Sequence, residues 1–142
     1  CGVDLSNQQL NGLKKTYPGI ATNAKQADAT TPWTKPPFEI CDIAFTQAVI
    51  MHIHTGDAHL MALENLFKMS KKYVILYESM KNHPFLNDIK KLHLEKRISW
   101  DNIFFYYRIN EENGLPTSMI CSTTKLPYLE LTGYNIYSPS KK

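Results

Sequence analysis

Two short apolar runs, Ile40-Cys41-Asp42-Ile43-Ala44-Phe45 and Tyr73-Val74-Ile75-Leu76-Tyr77, constrain this chain more than any other feature. The first, nearly all apolar, reads as a strand covered on both faces, and the second as the next strand. Between them Leu60, Leu63 and either Leu66 or Phe67 recur at spacings of three and four, so a helix is expected from near Asp57 to Ser70-Lys71-Lys72. Strand, helix, strand is the crossover unit of a parallel pair, and it sets the class of the chain as α/β.

The flanks extend the alternation. Cys1-Gly2-Val3-Asp4 is a short apolar run closed by a carboxylate. Ser6 and Gln9 then have the spacing of a capping box, and Leu5 and Leu10 that of a hydrophobic staple, so a helix starts here. Leu10, Leu13 and Tyr17 are its expected buried stripe, and Pro18-Gly19 its expected end. A weak strand is expected at 23–27, a Pro-rich surface loop at 30–37, and a strand at 38–46. Beyond the second apolar run, Pro84 opens a helix with Phe85, Ile89 and Leu92 on one face. Residues 103–109 and 117–126 are strand-like around turn chemistry at 110–116, which reads as an antiparallel hairpin.

Composition bounds the function classes. At 142 residues and 43% hydrophobic content the chain can bury a core as one domain, 1–142. The net charge of +3 is spread as lysine pairs such as Lys14/Lys15 and Lys90/Lys91, which argues against a gathered nucleic-acid face. Cys1, Cys41 and Cys121 are far apart and form no Cys-x-x-Cys pair, a pattern of reduced thiols in a cytoplasmic setting. No run approaches the roughly 18 apolar residues of a membrane span. The first residue is Cys1, which reads as the start of a processed or partial chain.

The order of elements, with Asp4 closing the first strand, Asp28 closing the next and a hairpin at the end, resembles class I S-adenosylmethionine-dependent methyltransferases from their second strand onward. The most specific piece is Cys41-Asp42-Ile43-Ala44-Phe45-Thr46-Gln47-Ala48-Val49-Ile50-Met51-His52-Ile53, which looks like the family's fourth-strand motif. Ser70-Lys71-Lys72-Tyr73-Val74-Ile75-Leu76-Tyr77-Glu78 looks like its fifth strand. The resemblance implies a Rossmann-like, mostly parallel sheet that lacks its first strand and glycine-rich turn. It implies S-adenosylmethionine as methyl donor, with Asp4 accepting from the ribose hydroxyls, Leu5 beside the adenine, Asp28 and Ala29 at the adenine edge, and Thr46 and Gln47 under the methionine part. His52 stands as a candidate general base, Glu78 as a candidate substrate contact, and a small molecule as the methyl acceptor.

The missing strand would lie between the second and fourth, a gap of about 9 to 10 Å flanked by unpaired backbone. Such a gap is expected to close by re-pairing, or to be filled by self-association or a partner chain. Two other readings stand beside the enzyme. One is a pseudo-methyltransferase kept as an interaction module. The other is an NAD(P)-dependent short-chain oxidoreductase, which shares the strand-end carboxylate but needs a Tyr-x-x-x-Lys pair that is not found after the fourth strand. His52 and His54 form a His-x-His pair with no third ligand at a natural spacing, so no metal site is expected. The aromatic set Phe104, Phe105, Tyr106 and Tyr107 reads as core packing, half of it buried by strand alternation.

Overall fold

The computed structural model describes residues 1–109, 114, 116–126 and 134–137. Strand β1 (Gly2–Asp4) leads into α1 (Asn7–Thr16), a short α2 (Pro18–Ala21) and β2 (Ala24–Gln26). After the Pro-rich loop come β3 (Cys41–Gln47), a 3-10 turn at Ile50–His52, α3 (Ala58–Lys68), β4 (Ser70–Tyr77) and α4 (Phe85–Leu94). Strands β5 (Phe104–Ile109), β6 (Pro116–Ser122) and β7 (Tyr134–Tyr137) follow. Most of the 110–116 turn lies outside the described residues.

The local signals act as expected at several ends. Ser6 caps α1, its Oγ accepting from Gln9 N–H at 3.3 Å. Leu60, Leu63 and Phe67 of α3 are buried, as are Phe85, Ile89 and Leu92 of α4. The stripe of α1 is not buried as a whole. Leu10 is covered, but Tyr17 is 57% exposed and Leu5 63%, because α1 meets only the short α2 and two three-residue strands among the described elements. α1 ends at Thr16 with Tyr17 as its cap, directly before Pro18-Gly19 as expected, and Pro18 starts the separate α2.

A mostly parallel sheet with a C-terminal antiparallel hairpin was expected, and the strands instead form two sheets, one parallel and one mixed. β1 and β2 pair in parallel as one sheet. The other runs β3-β4-β6-β5-β7, with β3 and β4 parallel and the three remaining pairings antiparallel. The hairpin of β5 and β6 forms as the sequence predicts. Strand β7, which no sequence signal marked, adds to the far side of β5. The apolar run of β3 is not covered on both faces. Ala44 and Thr46 are buried, whereas Ile43 and Phe45 are 52% and 56% exposed. The helices α3 and α4 lie on one face of this sheet, where Ala44, Val74, Leu76, Phe105, Met119 and Cys121 meet their apolar sides.

The β1–β2 sheet does not re-pair with β3. It is held off by the loop between β2 and β3, which is a packed strap rather than a free surface loop. Asn65, fully buried in α3, donates from Nδ2 to the carbonyls of Ala29 at 2.9 Å and Thr31 at 2.7 Å, and its Oδ1 accepts from Trp33 N–H at 3.3 Å. Trp33 and Phe38 pack against the core at the same time. The Trp33 indole closes the strap by donating to Asp28 C=O at 2.9 Å. Replacing Asn65 by Ala leaves these strap groups unpaired and should cost about 3 kcal/mol. Chemical denaturation measures the loss, and a red shift of Trp33 fluorescence in the folded variant reports that the strap has lifted.

Candidate functional site

Three of the strand ends that the sequence marked open on one cavity of about 730 Å³. Asp4 and Leu5 reach it from the end of β1, Asp28 and Ala29 from the turn after β2, and Thr46 and Gln47 from the end of β3. Its walls are mainly apolar, with Val3, Phe38, Phe45, Ile50 and Leu66 among them. A volume of this size is in the range of small-molecule sites, which pair apolar walls with a few placed polar groups.

Those polar groups are partly committed. Asp4 Oδ1 accepts from Ser6 N–H at 2.7 Å, which fixes the carboxylate at the strand end, and among the described residues its second oxygen has no partner. Asp28 Oδ1 accepts from Thr30 N–H at 2.8 Å and Thr30 Oγ1 at 2.6 Å, a tight turn that leaves its second oxygen without a partner among the described residues. Two half-used carboxylates therefore border the cavity from one side, each able to accept from a hydroxyl or an amine.

The opposite wall is built by Glu78. The sequence places this residue at the cleft edge, in reach of a substrate, but its side chain is only 2% exposed and does not line the cavity. Its Oε1 accepts from Thr46 Oγ1 at 2.8 Å. Its two oxygens accept from Val49 N–H, both at 3.1 Å, and Oε2 accepts from Met51 N–H at 3.0 Å. Ile50 N–H approaches Oε1 at 3.4 Å. The chain can turn three N–H groups onto one carboxylate because Ala48 is left-handed, with φ of 51°. That conformation is costly for a residue with a Cβ and persists because the carboxylate holds it. Glu78 thus fixes the backbone on which Thr46, Gln47, Val49 and Ile50 meet the cavity. Glu78→Gln puts a donor where four donors converge and should lower stability by about 3 kcal/mol in a denaturant titration.

His52 is exposed on the 3-10 turn and is not among the cavity-lining residues. Its neighbour His54 belongs to a separate cluster. His59, on the first turn of α3, stacks on His83 with ring centroids 4.2 Å apart, and His54 lies 5.9 Å from His83. Asp88 Oδ2, on α4, is 3.5 Å from His59 Nε2, too long for a hydrogen bond. His59 Nδ1, His83 Nε2 and Asp88 Oδ2 are buried without hydrogen-bond partners among the described residues. No group of three described His, Cys, Asp or Glu side chains has the arrangement of a metal site.

Burial pushes the His83 pKa below its ordinary 6.5, with the charge of His59 adding to the effect and a backbone bond to Ile53 opposing it. Burial raises the carboxyl of Asp88 above its ordinary 3.8, against the pull of His59, His83 and Lys91. The folded state therefore binds a proton at His83 less readily than the unfolded chain. The contribution of His83 is fully present above pH 6.5 and is lost as pH falls below that value. Asp88 acts with the opposite sign, its contribution present below its ordinary 3.8 and lost as pH rises above that value. Stability should drop between pH 7.5 and 5.5, and His83→Gln should flatten that slope in denaturation curves taken at three pH values across the range.

Sequence reasoning missed Asn65 and the inward turn of Glu78. A signal existed for Asn65, since asparagine favours caps and turns and stands here inside a helix. No described helix is long and apolar enough to cross a membrane. No protein-family model matches the chain, and no characterised protein matches it in sequence.

Proposed function

We propose that the chain is a methyltransferase domain that uses S-adenosylmethionine and acts on a small-molecule acceptor. The observation that carries this reading is convergence. Asp4, Leu5, Asp28, Ala29, Thr46 and Gln47, which the family resemblance assigns to the cofactor from three separate strand ends, all line one cavity. The strand order supports it as well. β1 pairs in parallel with β2 and β3 in parallel with β4, and no described pairing joins β1 to β3, between which the resemblance puts its missing first strand.

The residues fit the nucleoside half of the cofactor best. Asp4 has an oxygen to accept from ribose hydroxyls, and Asp28 one to accept from an adenine amino group. Carboxylates placed by the backbone in this way pick out adjacent hydroxyls because two lone-pair directions match two donors. The amino-acid half has less to hold it. Thr46 Oγ1 is taken by Glu78, and no described glycine makes a close backbone approach, since a Cβ built on any of them meets nothing within 4 Å. When bound, the cofactor supplies an electrophilic methyl on sulfonium. The chain's part is to align an acceptor near Gln47 and to exclude water with the apolar wall of Val49 and Ile50. His52, outside the cavity, is not placed to take the acceptor's proton in this arrangement, so positioning carries the reaction.

The reading has a specific consequence. S-adenosylhomocysteine and 5′-methylthioadenosine share the nucleoside and differ in the amino-acid tail. In a two-dimensional NMR titration both should shift the amides of Leu5, Ala29 and Gln47, with dissociation constants within about threefold of each other. Asp4→Asn should weaken both about tenfold. Silence at these amides at millimolar ligand removes the methyltransferase reading, and shifts with NADH alone put the oxidoreductase in its place. The interaction-module reading draws on the half-exposed Ile43 and Phe45 beside the same cavity.

A further inference from the structure

The surface around Gln47 has a chemistry of its own. Phe45 and Gln47 stand two residues apart on β3, so their side chains leave the same face of the sheet, and both line the cavity. Gln47 is in register with Tyr77 of β4, and Phe45 with Ile75, which puts a second aromatic ring next to Gln47 on that face. Phe45 is half-exposed and so is Tyr77, which is not among the cavity-lining residues. The two rings make an apolar ledge that leads from the cavity out past its rim, on the wall opposite Asp4 and Asp28.

This ledge suits a positive charge and is poorly equipped to take a proton. The charged side chains that line the cavity are Asp4 and Asp28, both acidic. A third acid, Glu78, stands behind Thr46 and has no cation among its described partners. Fixed negative charge beside open aromatic faces favours a cation. Glu78 already accepts from one O–H and three N–H groups, and the Thr46 hydroxyl is taken by it. An acceptor that must first shed a proton therefore meets no free base among the described side chains of the ledge.

We infer that the methyl acceptor is an uncharged heteroaromatic ring, which lies on Phe45 and Tyr77 beside Gln47 and is methylated on a ring nitrogen to give a cation. The inference rests on the methyltransferase reading and adds the class of its second substrate. The lone pair of the ring nitrogen forms the bond to the methyl carbon as the carbon–sulfur bond breaks. Sulfur keeps that electron pair and becomes a neutral thioether, and the positive charge passes to the ring. No proton moves. A phenol, an alcohol or an ammonium group would need a base. A carboxylate or phosphate would enter against the charge of Asp4, Asp28 and Glu78. A dialkyl thioether keeps the charge balance but has no ring face to lay on Phe45.

The test uses the whole chain, labelled with nitrogen-15 and saturated with S-adenosylhomocysteine, and ligands of similar size: isoquinoline, N-methylisoquinolinium, 2-naphthol and 2-naphthoate. Isoquinoline and N-methylisoquinolinium should shift the amides of Gln47 and Tyr77, and N-methylisoquinolinium should bind about tenfold tighter than 2-naphthoate. With S-adenosylmethionine carrying a carbon-13 methyl, the label should appear on the nitrogen of isoquinoline and not on 2-naphthol. Gln47→Lys, at an exposed position, brings a cation to the ledge and should reverse the order of N-methylisoquinolinium and 2-naphthoate. It should leave the S-adenosylhomocysteine shifts at Leu5 and Ala29 in place. Equal binding of the two charged ligands, no label on isoquinoline, or label on 2-naphthol overturns the proposal while those Leu5 and Ala29 shifts stand. Loss of the S-adenosylhomocysteine shifts in the parent chain is a different failure, which sinks the methyltransferase reading and this acceptor with it.

Discussion

The side chain of Asn65 is the joint on which the molecule turns. A primary amide can donate twice and accept twice, and here it meets three backbone groups of the strap between β2 and β3. Within an apolar layer these bonds are hard to exchange for water, so loss of any one leaves a buried polar group unpaired. The consequence reaches well beyond the strap. The first 26 residues bury only Leu10 among their described side chains and have no core of their own. They hold their place relative to β3 because the strap that follows them is bolted to α3.

The other wall has a different physical basis. A single carboxylate, Glu78, gathers a hydroxyl and the N–H groups of the turn after β3, and a left-handed Ala48 makes the gathering possible. Charge-assisted bonds in a buried setting are strong and directional, which suits a surface that must keep its shape. The cavity therefore has polar bonding behind its walls and apolar atoms on their faces. Its few polar contacts, the second oxygens of Asp4 and Asp28 and the side chain of Gln47, stand out against that background. Such a surface recognises by position.

How much of this could be read from the sequence follows the range of the interactions. Local signals were legible: the Ser6 cap, the helical stripe of α3, the Pro84 start and the β5–β6 hairpin depend on residues a few positions apart. The ends of three strands also marked out residues that meet at the cavity, because strand ends in α/β folds point to one side of the sheet. Contacts across long separations were not legible. Asn65 meets residues more than thirty positions away, and Glu78 meets a turn that precedes it by 27 to 32 positions. The apolar run of β3 misled for a related reason. Composition says that Ile43 and Phe45 are suited to burial, but whether anything covers them is decided by other elements.

The two walls of the cavity differ in stiffness. One is β3 with its carboxylate-tied turn, backed by the packed helices and by a five-stranded sheet. The other is a pair of three-residue strands and a helix that tucks in one side chain. Free energies of local opening follow buried contacts, so the second wall belongs to the low-stability end of the molecule and the first to its cooperative centre. Opening of the cavity then needs no melting of the core. A displacement of the N-terminal wall, hinged on the strap, leaves every bond behind β3 intact.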